Sequence, residues 1–327
     1  MRKICYTILL LLSTYLCLPA QVKNINQISK RYIDTSRGNR LLLTEIWYPE
    51  NLVHENSKET FDISKTVVRK HPLALLSHGT GGNRFSLIWL ANILAEEGFI
   101  VASVDHFGNT TDNRIPEYFV RYWERPLDIS FVIDRLLEDS NFSDIIDHNR
   151  LAVVGFSLGG YTSLALAGAK LDCSLIKKTA KSKQGKQELN VPEMGDLTQL
   201  IDKIDCKQIS ENLKDHRIKA FVALSPALGL GFSTKDQFNV EAPVLIIGAE
   251  GDTIAPIKSN ALKYHRFIPT SQIKVLKRNI GHYIFLPKVK EYNPDEAIFF
   301  KDPPDVDRTQ VHQEVGGIIL NFLNRSL

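Results

Sequence analysis

The sequence predicts an α/β fold, a mostly parallel central sheet with helices on both faces. Three observations carry that prediction. Short apolar runs recur at residues 72–77, 99–104, 151–154, 218–224, 243–248 and 272–276. Strands that are apolar throughout must be covered on both faces, which helical crossovers between parallel strands supply. The segments between them carry helical periodicity. Residues 125–138 hold Ile129, Val132, Ile133, Leu136 and Leu137 on one face, the spacing of an amphipathic helix. Finally, residues 41–48 alternate and end in Trp47-Tyr48-Pro49, which reads as an antiparallel edge hairpin leading into the sheet.

Further helices are expected at 86–97, where Gly98 supplies a stop, and at 158–169, 256–267 and 310–323. Residues 169–216 break the rhythm. This stretch is rich in lysine (Lys177, Lys178, Lys181, Lys183, Lys186) and then carries Leu197, Leu200, Ile201 and Ile204 at helical spacing. It reads as an insertion after the helix at 158–169, either a lid over the sheet's C-terminal edge or a solvated excursion. The remainder, 21–327, reads as one domain. A chain of 327 residues with 43% apolar and 24% charged residues is ordinary for a globular protein. Its net charge of +3 leaves no basic excess for neutralising phosphates, so nucleic acid is not an expected partner.

Residues 1–20 read as a secretory signal peptide. Arg2 and Lys3 precede an apolar stretch at 4–18, and Leu18-Pro19-Ala20 offers a cleavage site. An uncleaved anchor is the alternative. A secreted or periplasmic location follows, with no membrane span left after cleavage. Cys5 and Cys17 leave with the signal; Cys173 and Cys206 remain as an expected disulfide in an oxidising compartment.

The chemistry concentrates in three places. Gly155-Phe156-Ser157-Leu158-Gly159 fits G-x-S-x-G between a strand and a helix, the context of a nucleophile elbow. A serine needs a base oriented by a third group. Gly248-Ala249-Glu250-Gly251-Asp252 and Gly281-His282 follow later strands in the order serine, acid, histidine. Asp252 is the favoured acid and Glu250 the alternative. His78-Gly79-Thr80-Gly81-Gly82 follows the strand at 72–77. Its Thr80 N–H, with that of Leu158, is the candidate oxyanion hole. The loop lacks the Gly-Lys-Ser/Thr ending of a phosphate-binding P-loop. His78 precedes the serine and is assigned to bracing its own loop; His106 reads as a turn histidine, and Trp89 and Trp123 as packing residues.

Together, LSHGTGGNR, FIVASVDHFGNT, RPLDISFVIDRLLED, AVVGFSLGG, GAEGDTIAP and GHYIFL resemble the predicted dienelactone hydrolases. These form a Ser-based α/β-hydrolase branch related to platelet-activating-factor acetylhydrolases and polyester-cleaving lipases. The likeness spans roughly residues 30 to 325 apart from the insertion. It implies the α/β-hydrolase fold and carboxylic ester hydrolysis with neither metal nor organic cofactor, on a small-molecule or lipid ester. Dienelactone hydrolase proper uses a cysteine nucleophile where this chain has Ser157, so the family name does not give the substrate. In the acetylhydrolase relatives the acid follows the strand after the nucleophile's helix; here that strand ends in Ser225-Pro226, which returns the choice to Asp252. Two other functions fit the same residues: an exported peptidase or amidase, and a binding protein on a hydrolase scaffold.

Overall fold

A computed structural model describes residues 24–50, 70–209, 212–277 and 279–327. The expected signal peptide at 1–20 lies outside the described residues. Among the described residues there are ten strands: β1 (Ile25–Asp34), β2 (Arg40–Pro49), β3 (His71–Ser77), β4 (Ile100–Val104), β5 (Ile146–Phe156), β6 (Asn190–Val191), β7 (Gly195–Asp196), β8 (Ile218–Leu224), β9 (Val244–Ala249) and β10 (Ser271–Leu276). Eight of them form one sheet in the order β1-β2-β4-β3-β5-β8-β9-β10, and β6 pairs with β7 in a separate ribbon. From β4 to β10 every pairing is parallel. β1 and β2 form the antiparallel edge hairpin, and β2 joins β4 antiparallel. This is the mostly parallel sheet expected from the apolar runs.

Alternation along each strand feeds two cores. On β3, Leu73 and Leu75 face one side, Ala74 and Leu76 the other; Leu151 and Val153 of β5 oppose Ala152 and Val154 in the same way. The helices are α1 (Ile88–Glu96), α2 (Glu124–Glu138), α3 (Leu158–Ala167), α4 (Cys173–Ala180), α5 (Lys183–Glu188), α6 (Thr198–Asp202), α7 (Ala261–Phe267), α8 (Ala297–Phe300) and α9 (Arg308–Ser326). α1 and α9 cover one face through Leu90, Leu94, Val315 and Ile319. α2, α3 and α7 cover the other through Ile129, Val132, Leu164 and Tyr264. Full burial of one such aliphatic side chain is worth about 1.5–3 kcal/mol. Among the described residues no helix is long and apolar enough to cross a membrane.

Element ends differ from the sequence reading where local chemistry intervenes. α3 stops at Ala167 because Gly168 turns into the left-handed region at φ 119°. α9 begins at Arg308, where Asp307 caps it by accepting from Thr309 N. α7 starts five residues later than the pattern predicts, since residues 257–260 form turns.

The stretch from 169 to 216 holds more regular structure than the one short helix its sequence suggests: α4, α5, the β6–β7 ribbon and α6. Lys178, Lys181, Lys183 and Lys186 are exposed and Lys177 donates to Ile204 O, while Ile176, Leu189, Val191, Leu197 and Ile201 are buried against the main core. Cys173 and Cys206 form a disulfide with a Cα–Cα distance of 5.8 Å, which joins the start of α4 to the far end of the insertion.

Candidate active site

Parallel β/α units deliver their loops to the carboxyl edge of the sheet, and the functional side chains gather there. β5 runs into α3 through Ser157, whose backbone sits at φ 55° and ψ −116°. Such a conformation costs a non-glycine residue about 1–3 kcal/mol. The turn permits no side chain at its flanks. A Cβ on Gly155 would lie 1.8 Å from the Gly159 carbonyl oxygen, and one on Gly159 would lie 2.0 Å from that of Ser77. Hydrogen bonds from Ser157 N to Leu224 O (2.8 Å) and from Ala227 N to Ser157 O (3.1 Å) hold the elbow to β8.

His282 opens a short 3-10 turn beyond β10. Its Nε2 lies 2.9 Å from Ser157 Oγ, and its Nδ1 lies 2.6 Å from Asp252 Oδ2. The other Asp252 oxygen accepts from Ile254 N (3.0 Å) and Ala255 N (2.7 Å), so the carboxylate is oriented by its own loop. With Nδ1–H donating to the carboxylate, Nε2 is left to accept the serine proton. The structure therefore brings Ser157, His282 and Asp252 into one hydrogen-bonded chain. Glu250 points elsewhere and pairs with Lys277 Nζ at 3.0 Å on the surface.

The His78–Gly82 loop lies beside the elbow. A Cβ on Gly79 would meet Ser157 Cβ at 3.2 Å, and Thr80 lines the same chamber as Ser157 and Leu158. Gly81 N donates to Asn109 Oδ1 (2.8 Å) and Gly82 N to Gly79 O (3.4 Å). The N–H groups of the two residues after Thr80 are thus committed to shaping the loop. His78 Nε2 accepts from His106 N (3.2 Å) and its Nδ1 bonds Gly79 O (2.7 Å). Burial, then the charge of Arg125, hold its imidazole well below the usual histidine range. It is a neutral brace of the loop.

A buried polar cluster supports that loop, and the sequence reading missed most of it. Arg125, at the start of α2, donates to the His78 carbonyl and to Thr162 Oγ1; burial lowers its guanidinium to about 9. Asp128, one turn on, takes Nε and Nη2 of Arg40 at 3.0 Å each and faces His106 Nδ1 at 3.1 Å. His106 Nε2 accepts from Ser77 Oγ at 2.9 Å. Burial, with Arg125 nearby, brings His106 down to about 3. Burial alone would raise Asp128, but the His106 bond and the charges of Arg40 and Arg37 outweigh it and leave the carboxyl at about 2. The signal in the sequence was two charges, Arg125 and Asp128, inside the apolar stripe of an amphipathic helix.

Two further supports lay outside any motif. His312 on α9 stacks on Trp89 at 4.2 Å, and its Nε2 donates to Ile284 O (2.7 Å). Trp89 Nε1 donates to Phe285 O (2.7 Å). Both pin the turn that carries His282. From the insertion, Glu193 Oε1 accepts from Tyr283 OH at 2.9 Å, which ties the β6–β7 ribbon to the residue after His282. Under this cover Ser157 is 7% exposed.

Comparison with known proteins gives the following. A family model described as PET hydrolase-like matches residues 70–195. Cutinase 2 of Thermobifida cellulosilytica is 26% identical over 216 residues, covering 65% of this chain and 60% of that protein. Cutinase est1 of Thermobifida alba is 28% identical over 201 residues, covering 61% and 48%. A bis(hydroxyethyl) terephthalate hydrolase of Streptomyces coelicolor is 26% identical over 197 residues, covering 60% and 45%. The chain spans less than two thirds of each relative's length. Among solved structures, a ferulic acid esterase from Streptomyces cinnamoneus superposes with a TM-score of 0.57 at 18% identity, over 95% of this chain and 92% of that one.

Proposed function

We propose that this chain, an α/β-hydrolase by fold and similar in sequence to cutinases, is an exported serine-dependent carboxylic ester hydrolase. The observation that carries the reading is the Ser157–His282–Asp252 chain with its serine on a strained elbow. Ester hydrolases among the sequence relatives support the same chemistry.

In this mechanism Ser157 Oγ attacks the ester carbonyl while His282 Nε2 takes its proton. Asp252 holds the imidazole tautomer and stabilises the imidazolium. The N–H groups of Thr80 and Leu158 receive the oxyanion, and the positive end of α3 adds to them. The carbonyl–alkoxy bond then breaks, and the leaving oxygen takes the proton from His282. Water repeats the sequence against the acyl-enzyme, with His282 as base, and releases the acid and free Ser157. No step draws on a metal or an organic cofactor.

The insertion acts as a lid in this reading, because its apolar side chains form the roof of the chamber at Ser157. Export is supported by the Cys173–Cys206 disulfide. The test pairs a fluorophosphonate probe with two substrate series. Covalent labelling of Ser157 and faster turnover of p-nitrophenyl esters than of the matching anilides are the expected results. Labelling with anilide turnover as fast as ester turnover would make it an amidase, and an unlabelled protein a binding scaffold.

A further inference from the structure

The chamber at Ser157 is small. Its free volume is ≈ 50 Å³, enclosed by Leu158 of the elbow, Ala227 and Leu228 after β8, and Leu189, Val191 and Leu197 of the insertion. One water needs about 10–15 Å³ by the same measure, so the space suits a chain of about three to five non-hydrogen atoms. His282 is absent from the chamber's lining, whereas Thr80 and Leu158 are part of it. The leaving oxygen must sit against His282 to take its proton. The chamber on the opposite side of Ser157 is therefore the place for the acyl group.

A second cavity of ≈ 420 Å³ lies behind it, walled by Ala165, Leu171, Leu213 and the Cys173–Cys206 disulfide. Tyr122 lines both. Its ring is 1% exposed and stands edge-on to Trp123 at 5.3 Å and to Tyr161 at 5.5 Å. Neither the Tyr122 nor the Tyr161 hydroxyl has a hydrogen-bond partner among the described residues. A buried hydroxyl without a partner costs stability, so packing alone does not account for tyrosine at these positions; both line the larger cavity.

We propose that Tyr122 is the specificity-determining wall of the acyl site: it restricts the enzyme to esters of short, unbranched acyl groups, and the cavity behind it is the volume a longer acyl chain would fill once the ring is gone. This rests on Ser157 being the nucleophile.

The experiment measures kcat/KM for p-nitrophenyl acetate, butanoate, octanoate and dodecanoate, per fluorophosphonate-titrated serine. The proteins are the wild type, Tyr122→Phe, Tyr122→Leu and Tyr122→Ala, each checked by thermal melting. Wild type and Tyr122→Phe should favour acetate and butanoate. Tyr122→Leu and Tyr122→Ala should raise the octanoate-to-butanoate ratio by about tenfold or more, the scale on which pocket methylenes discriminate. If the alanine variant does not fold, the leucine variant carries the test. Leu197→Phe, which narrows the front chamber only, should move the profile the other way, from butanoate toward acetate. An unchanged ratio in folded, labelled Tyr122 variants overturns the proposal, as does a wild type that prefers dodecanoate. Absence of both labelling and turnover is a different failure, that of the nucleophile assignment, and takes this inference with it.

Discussion

Two Ser–His–Asp chains run through this molecule. In one, Ser157 bonds His282 Nε2 and Asp252 takes His282 Nδ1. In the other, Ser77 bonds His106 Nε2 and Asp128 takes His106 Nδ1. Atom pairing and the 2.9 Å serine–histidine distance are the same, the histidine–aspartate distance is 2.6 Å in the first and 3.1 Å in the second, and their surroundings are opposite. Ser157 sits at positive φ on a turn and lines a chamber. Ser77 ends a regular strand with no exposed surface. Asp252 is held by two backbone N–H groups and carries no arginine, whereas Asp128 receives Arg40 and Arg37. Burial, then the charges of Arg125 and Arg40, keep His106 neutral against the pull of Asp128, so it cannot accept a proton at low cost. Under the proposed function, side-chain pairing alone does not make a nucleophile. Access, oxyanion donors and an electrostatic environment that tolerates an imidazolium must come with it.

The largest effects should therefore divide the two chains. Ser157→Ala should abolish ester turnover and fluorophosphonate labelling while leaving the melting curve nearly unchanged. Asp252→Asn should lower kcat by up to about 10⁴-fold, the loss seen when the acid of such a triad is neutralised. Glu250→Gln should lose less than about tenfold. Ser77→Ala should keep its label and cost about 1 kcal/mol of stability, one buried hydrogen bond. Steady-state kinetics and labelling decide the matter. A greater loss at Glu250 than at Asp252, or a lost label in folded Ser77→Ala, would erase the distinction.

Next comes the structural chain itself. Asp128→Asn leaves the buried Arg40 with only Glu124, at 3.8 Å, as counter-charge, which should cost up to about 3–5 kcal/mol. Its pH dependence has a definite sign. The folded carboxyl, at about 2, lies below its ordinary value of 3.8. Its contribution is therefore complete above 3.8 and is lost as pH falls toward 2. Wild-type unfolding free energy should drop across that window by on the order of 2 kcal/mol more than that of Asp128→Asn. Urea titrations at several acid pH values measure it, and parallel curves for the two proteins would remove Asp128 from the account.

What could be read from the sequence divides along the same line. The mostly parallel sheet was visible because its parallel strands are largely contiguous apolar runs. Ser157, Asp252 and His282 were nameable because a glycine-bearing local pattern attaches each one to the end of a strand. The second chain was hidden, since Ser77, His106 and Asp128 come from three elements with no shared motif, and a lone serine ending a strand looks like any other. The internal structure of the insertion, though not its presence, was hidden for another reason. Its lysines dominate the composition, while the apolar residues that pack on the core are dispersed among short elements with no sustained period.

Access is what separates Ser157 from Ser77, and the disulfide bears on it. Cys173 and Cys206, 33 positions apart, also wall the cavity behind Tyr122. Closing a loop of that size stabilises by about 3–4 kcal/mol in the chain-entropy model. Replacing both cysteines by serine should lower the melting temperature and raise proteolytic cleavage within 173–206, with labelling of Ser157 retained. Mass spectrometry showing free thiols at Cys173 and Cys206 in the wild type would cancel that expectation.

The smallest effect concerns the contact that closes the insertion. Glu193 meets Tyr283 at 2.9 Å, its other oxygen is buried without a partner, and His282 and Arg114 lie within its field. Burial raises its carboxyl above the ordinary 4.5, against the lowering effect of the Tyr283 bond. A carboxyl raised on folding favours the closed contact below pH 4.5 and weakens it as pH climbs through the folded value. Glu193→Gln keeps an acceptor for Tyr283 without the charge and should abolish this dependence. Hydrogen exchange over residues 189–197 reads the contact directly. Wild-type protection should fall between acid and neutral pH by about two- to tenfold beyond the intrinsic exchange rate, the scale of one net hydrogen bond, while Glu193→Gln stays flat. Equal pH dependence in both proteins would mean that the insertion is held by its apolar contacts alone, leaving access to Ser157 insensitive to this carboxylate.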